Sequence, residues 1–354
     1  MITLSQFKTT FDDKLERFLD EKIRSVKKQA DDQTLNELFA HTRRIILGGG
    51  KRVRPYMAAL MYEACGGKLT PSVWRVLLGI ELFHTFALMH DDIMDMGTDR
   101  HGLPTLHVFA KTSFKKQKRI GDIAHIGNSH AILIGDMLFV WANECFMDQP
   151  KLDKRVLFAL QRVYAEMNQE VMLGQMLDVD GMTRTTVDDK QVLTKTSMKT
   201  AGYTFVQPLR MGWALAGSPK AFAGFAESFG RPLGIAFQIQ DDLLDLTGTV
   251  KTLGKQPFSD LREGQHTLFT QHILKHGNAK QKTMLKNILR STVNEKQAKV
   301  VHALFEESGA FEDVAKVMNG YFKKAEKAIT GSTFTEKQKQ GFLALYEKVC
   351  SRTS

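Results

Sequence analysis

The chain has 354 residues, of which 43% are hydrophobic and 25% charged, so it can bury a sizeable core and global disorder is not expected. Its 27 glycines cluster rather than recur, which excludes a collagen-like repeat, and three distant cysteines, Cys65, Cys145 and Cys350, give neither a disulfide framework nor a CxxC metal site. Lys plus Arg outnumber Asp plus Glu by 49 to 39, and the net charge of +10 favours anionic partners: nucleic acid, an acidic membrane surface or phosphorylated small molecules.

Phe7, Phe11, Leu15, Phe18 and Leu19 recur at helical spacing and predict an amphipathic first helix. A basic glycine-rich turn, LGGGKRVRP, follows at Leu47–Pro55, and then a short helix from Tyr56 to Cys65. A long apolar helix is predicted from Val73 to Asp95, a loop at Arg100–Pro104, and a basic segment, KTSFKKQKR, at Lys111–Arg119. Further helices are predicted at Asn128–Phe146, Leu152–Val179, Asp188–Ala216 and Ala221–Leu246. Shorter ones follow from about Leu261, ending in Glu336–Val349. Alternating strand patterns are nearly absent, and no Pro-, Gly- or Ser-rich linker interrupts the chain. The expectation is an all-α protein: one domain, residues 1–354, with long helices around one core. No run approaches about 18 apolar residues, so no membrane-spanning helix is expected. The first 31 residues lack a signal-peptide layout, which makes the cytoplasm the expected compartment. The segment Lys111–Arg119 has no recognition fold and one aromatic, Phe114. It therefore reads as solvated charge or a mobile flap, and no nucleic acid is expected as a partner.

Two motifs carry chemistry: Asp91-Asp92-Ile93-Met94-Asp95 and Asp241-Asp242-Leu243-Leu244-Asp245, each ending a strongly apolar helix. Residues four apart share a helix face, so Asp91 pairs with Asp95 and Asp241 with Asp245. Acids at a helix C-terminus oppose the helix dipole and need a compensating partner. Oxygen donors with no Cys or His suit Mg2+, which binds through a few carboxylates plus substrate phosphates. Basic groups suited to such phosphates are Lys51, Arg52 and Arg54 after the glycines, Arg100 and His101 after the first acid motif, Lys199 with Thr200, and Lys255. Lys195-Thr196 repeats the Lys-Thr pair one turn earlier. His84 lies two turns before Asp91 on nearly the same face.

Taken in order, GGGKRVRP, ELFHTFALMHDDIMD, RHGLPT, GQMLD, KTA, FQIQDDLLD, GK and SDLREG resemble the trans-isoprenyl diphosphate synthases, or polyprenyl synthetases. The resemblance implies an enzyme that is a single large helical bundle around a central deep cavity, usually a homodimer, and that joins isopentenyl diphosphate head-to-tail to an allylic diphosphate. It implies Asp91, Asp95 and Asp241 as ligands of Mg2+, three ions per site, with Asp92, Asp242 and Asp245 in support. Arg100, Lys199 and Lys255 would hold the allylic diphosphate. Lys51, Arg54 and His84 would hold isopentenyl diphosphate, with His101 as a weaker donor. Gln238 and Thr200 would lie close to the reacting groups. Three positions depart from the family pattern: His101 replaces a second arginine, Phe258 a glycine, and Gln265 a lysine.

Product length should depend on side chains one turn below Asp91. Ala87 is four residues below, and Phe86 five, roughly 7.5 Å along the axis. A lone aromatic at Phe86 resembles the pattern of C20 synthases, which favours geranylgeranyl diphosphate over farnesyl or longer products. The rivals are a terpene cyclase, which would not need Lys51, Arg54 and His84, and a catalytically silent partner subunit.

Overall fold

The computed structural model describes residues 1–249 and 256–351. The expected all-α architecture is present, with one addition. Asp99–Arg100 (β1) pairs antiparallel with Leu103–Pro104 (β2) across a two-residue turn, where a loop was expected. Two compact units, Met1–Gln161 and Arg162–Ser354, each carry their own core.

In the first unit Leu4–Gln29 (α1) starts at a Thr3/Gln6 capping box and buries Phe7, Phe11, Leu15 and Leu19, four-residue steps on one face. Gln33–Leu47 (α2) was not foreseen; Asp32 caps it by accepting from the Leu35 N–H. Val53–Ala64 (α3) follows the glycine-rich turn. Pro71–Met94 (α4) begins at the Thr70 cap with Pro71 in its first turn. It is apolar on nearly every face, as expected of a helix surrounded by others.

Leu106–Lys116 (α5) corrects the reading of Lys111–Arg119 as a flap. Leu106, Ala110 and Phe114 lie four residues apart and bury one face, so most of the basic segment is the solvated side of a helix. Ile123–Met147 (α6) starts five residues earlier than Asn128, because Asp122 caps it by accepting from the Ala124 and His125 N–H groups. Lys154–Gly181 (α7) runs from the end of this unit into the second.

Among the described residues two helices, α4 and α6, are by length and composition apolar enough to cross a membrane, each reaching mean hydropathy 1.3. Scattered polar residues such as His84 in α4 and Asn128 in α6 interrupt the strictly apolar runs, while the many Leu, Ile, Phe and Val keep the average high. The apolar window of α4 is 72% buried inside the protein, as for a core helix, whereas that of α6 is 28% buried. Ile126, Leu133, Val140 and Met147 of α6 are exposed at seven-residue intervals.

In the second unit Asp189–Thr196 (α8), a π-helical stretch Ser197–Val206 and Gln207–Leu215 (α9) form the predicted helix 188–216, widened in its middle. The predicted helix Ala221–Leu246 is broken. Ala223 is extended and Gly224 takes φ +83°, after which a π turn, Ala226–Gly230, leads into Arg231–Thr247 (α10). The remainder forms Ser259–Glu263 (α11), Leu268–His276 (α12), Ala279–Ile288 (α13), Glu295–Glu307 (α14), Ala310–Thr330 (α15) and Glu336–Cys350 (α16). The 21 residues of α15 exceed the short helices expected there. Helix α10 packs against the π-helical stretch and α15.

Candidate active site

The first acid motif falls where the buried helix α4 ends: Asp91 and Asp92 are in its last turn and Asp95 is its C-cap. Asp91 and Asp95 are half-buried. Asp92 is buried, and the Arg100 guanidinium forks onto it through Nη2 and Nε. Burial raises the Asp92 carboxyl above its usual range, although Arg100 opposes the shift.

Arg100 and His101 sit on the β1–β2 hairpin, whose turn residues His101 and Gly102 take φ +54° and +74°. The glycine-rich turn packs directly on that tip. A Cβ on Gly49 would lie 2.4 Å from His101 Cγ, so a side chain at position 49 would push the imidazole away. Arg54 Nη1 donates to His84 Nε2 at 3.0 Å. Because a guanidinium only donates, Nε2 accepts and Nδ1 carries the His84 proton. Burial, then Arg54, Arg100, Arg52 and His101, hold His84 well below the usual imidazole range. Burial, Arg100 and Arg52 likewise lower His101. Lys51 is exposed on the same turn. The first unit thus gathers Arg54, His84, Arg100 and His101, four of the expected phosphate-binding groups, around the glycine-rich turn.

Arg52, the third cation of that turn, has a structural role. Its side chain is buried and donates to Asp12 Oδ1 at 2.8 Å, Glu81 Oε1 at 2.5 Å and the Ile46 carbonyl at 2.7 Å. Phe86 and Ala87 lie on α4 below the acids. Phe86 is buried against Phe83, Phe139 and His90, with ring centroids 5.4, 5.0 and 4.7 Å away, and Ala87 is half-buried.

In the second unit two close approaches set the geometry. A Cβ on Gly174 of α7 would lie 2.4 Å from the Lys199 backbone nitrogen. One turn later the buried Asp178 receives Lys199 Nζ on Oδ2 and Lys195 Nζ on Oδ1, the latter at 2.8 Å. Burial works against the charge of Asp178, but the two lysines hold its carboxyl below the usual range. In the sequence Asp178 closes GQMLD, and its one-turn spacing from Gly174 is the local sign of its place in the site. Gly234 of α10 would similarly place a Cβ 2.4 Å from Ala201 Cα. One turn on, Thr200 Oγ1 donates to Gln238 Oε1 at 2.7 Å and Gln238 Nε2 to Asp242 Oδ1 at 2.8 Å.

Of the second acid motif, Asp241 is half-buried near the end of α10. Asp245 accepts from Ser259 N at 3.1 Å, Ser259 Oγ at 2.7 Å and Asp260 N at 3.0 Å, which starts α11. Phe258 just before it takes φ +61°, the conformation glycine adopts most easily. The backbone cost, about 1–2 kcal/mol, accompanies burial of its ring. Gln265 Oε1 accepts from Lys195 Nζ at 3.0 Å. Lys255 lies outside the described residues.

Asp242 is pushed up to about 7, chiefly by burial, with Asp241 and Asp245 adding to the shift and Gln238 opposing it. A carboxyl raised in the fold stabilises below its unfolded value and loses that contribution as pH rises through the folded value. The contribution of Asp242 to the stability of metal-free protein is therefore expected to fall between about pH 4 and pH 7, while His84 and His101, held below the usual imidazole range, act in the opposite sense. The melting temperature of Asp242→Asn relative to the parent should therefore rise as pH increases through this window.

Among the described residues, no three His, Cys, Asp or Glu side chains form a closed metal cage. The donors present, few and all carboxylate, fit a hard cation that completes its shell with water and phosphate, as magnesium does.

The polyprenyl synthetase family model matches residues 35–307. A geranylgeranyl diphosphate synthase of Methanosarcina mazei is 34% identical over 241 residues, 68% of this chain and 68% of that protein. A short chain isoprenyl diphosphate synthase of Methanothermobacter thermautotrophicus is 31% identical over 316 residues, 89% of this chain and 90% of the relative. The crystal structure of a geranylgeranyl pyrophosphate synthase of Corynebacterium glutamicum, complexed with isoprenyl diphosphate and magnesium, is 26% identical with TM-score 0.93, covering 99% of this chain and 100% of that one. The fold is that of the isoprenoid synthase class. The chain belongs to the polyprenyl synthetase family, and it is an enzyme, a prenyltransferase.

Proposed function

We propose that this chain joins isopentenyl diphosphate head-to-tail to dimethylallyl, geranyl and farnesyl diphosphate with magnesium, releasing pyrophosphate, and that its main product is geranylgeranyl diphosphate. The observation that carries this reading is the pairing of Arg54 with His84 beside Arg100 and His101, with His84 on the same helix as the first acid motif and Arg100 bonded to its Asp92. A cyclase would have no use for this second set of phosphate-binding groups.

Asp91, Asp95 and Asp241 would hold magnesium, three ions in all, with Asp92, Asp242 and Asp245 positioning them. When bound, magnesium neutralises the diphosphate leaving group. Arg100, Lys199 and Lys255 grip the allylic diphosphate and stabilise charge growing on the leaving oxygen. Asp178 holds the ammonium groups of both Lys195 and Lys199, which fixes where Lys199 presents its donors. Lys51, Arg54, His84 through Nδ1, and His101 hold isopentenyl diphosphate so that its alkene faces the allylic carbon. As the allylic C–O bond breaks, the alkene electrons form the new C–C bond. A proton then leaves to the departing pyrophosphate, so no protein base is required. Thr200 and Gln238, fixed by their hydrogen bonds, keep polar atoms ordered beside the reacting groups.

Ala87 is the small side chain over which a growing tail would pass, and the buried Phe86 is the aromatic beside it. Ala87→Phe is expected to shorten the main product by one or more C5 units. The check is incubation with labelled isopentenyl diphosphate and each primer, followed by chromatography of the dephosphorylated products. An unchanged product length would show that this face does not set the floor.

The exposed apolar row of α6 supports a homodimer in which a second copy covers it. The three unpaired cysteines, of which Cys65 and Cys145 are pushed up to about 12 by burial and so kept unreactive, support the cytoplasm as compartment.

A further inference from the structure

The β1–β2 hairpin carries Arg100 and His101 on a ladder of only two residue pairs, Asp99 with Pro104 and Arg100 with Leu103. So short a hairpin is not stable by itself. It needs an external brace, and the structure supplies one from α2. His41 is buried, its Nε2 donates to the Pro104 carbonyl at 2.7 Å, and its Nδ1 accepts from Arg44 Nη2 at 3.1 Å. Its ring lies flat on Phe109 of α5, centroids 3.9 Å apart and planes 5° from parallel. Both ring nitrogens are engaged, one as donor and one as acceptor, so a single neutral tautomer is fixed. Burial lowers the His41 pKa, which agrees with that tautomer.

We infer that His41 is a positioning residue for diphosphate binding: it holds the end of the hairpin at Pro104 and thereby fixes where Arg100 and His101 present their donors. The inference rests on the proposed role of Arg100 in holding diphosphate. The contact of Gly49 with the His101 ring is steric and sets only how closely the tip approaches. The hydrogen bond to Pro104 sets its direction, because that carbonyl belongs to the strand opposite Asp99. Misplacing a cationic fork by about an ångström is enough to lose much of its contribution.

The test uses the full-length enzyme and separates KM from kcat. His41→Phe keeps an aromatic ring over Phe109 but cannot donate to Pro104. It is expected to raise, by about tenfold, the KM of the diphosphate substrate whose KM also rises in Arg100→Ala, and to lower kcat in the same sense as Arg100→Ala but by less. His41→Gln, whose amide can donate to Pro104, should recover most of that loss. Should His41→Phe fail to fold, the exposed Arg44→Met removes the group that fixes the tautomer, and a smaller rise in the same KM is expected. A folded His41→Phe with unchanged KM overturns the inference. So does a His41→Gln no better than His41→Phe, or, where His41→Phe does not fold, an Arg44→Met with unchanged KM. If Arg100→Ala itself leaves both KM values unchanged, the reading of Arg100 fails first; if Arg100→Ala raises KM and His41→Phe does not, the role of His41 alone fails.

Discussion

Replacing Asp91 by Ala, or Asp241 by Ala, is expected to lower kcat by about a thousandfold while leaving the fold intact. Both carboxylates are half-buried near helix ends rather than in a core. Their proposed work is to hold magnesium on a diphosphate, and a diphosphate without that neutralisation is a poor leaving group. The neighbouring acids should behave differently. Asp245 accepts from two backbone N–H groups and the Ser259 hydroxyl, so Asp245→Ala is expected to cost about 1 kcal/mol of stability as well as activity. Steady-state kinetics with thermal melts would separate the two patterns. Undiminished prenyl transfer by the Asp91→Ala, Asp241→Ala double variant would remove the metal role from both motifs.

The second large effect is on stability. Arg52→Met is expected to cost about 3–5 kcal/mol, read as a lower urea midpoint, because it leaves Glu81 buried without its counter-charge. Burial disfavours the charged guanidinium, but Glu81 and Asp12 outweigh it and raise the Arg52 pKa. Arg52→Lys should recover only part of the loss. An ammonium cannot reach Asp12, Glu81 and the Ile46 carbonyl from one planar fork. Arg52 also has φ +51° at the start of α3, so the turn that bears Lys51 and Arg54 is held by the residue between them. An unchanged midpoint in Arg52→Met would show that the triad adds nothing to the fold.

What could be read from the sequence was what local periodicity carries. Phe7, Phe11, Leu15 and Leu19 announce α1 because four-residue steps stay on one face. The acid motifs stand out because each closes an apolar helix that has no other reason to end in carboxylates. The failures have equally local causes. The lysines of 111–119 mask the spacing of Leu106, Ala110 and Phe114, so a helix reads as solvated charge or a flap. Gly224, with positive φ, breaks an otherwise plausible helix from 221 to 246. Partnerships were the least legible part of the site. Asp178 lies 21 residues from Lys199 and His41 lies 63 from Pro104, and nothing in the spacing connects them. They depend on close packing, as where Gly174 admits the Lys199 backbone. The three family departures divide likewise. Gln265 and Phe258 have packed roles in the second unit, whereas His101 remains at the tip where an anion would be met.

The most direct measurement is pyrophosphate release, followed together with incorporation of labelled isopentenyl diphosphate, with geranyl diphosphate or farnesyl diphosphate as primer and magnesium present. Release equimolar with incorporation is expected, with none when either substrate is omitted or magnesium is chelated. Release from farnesyl diphosphate alone would identify a cyclase, and no release under any of these conditions would leave a silent partner subunit; either result contradicts head-to-tail prenyl transfer by this chain.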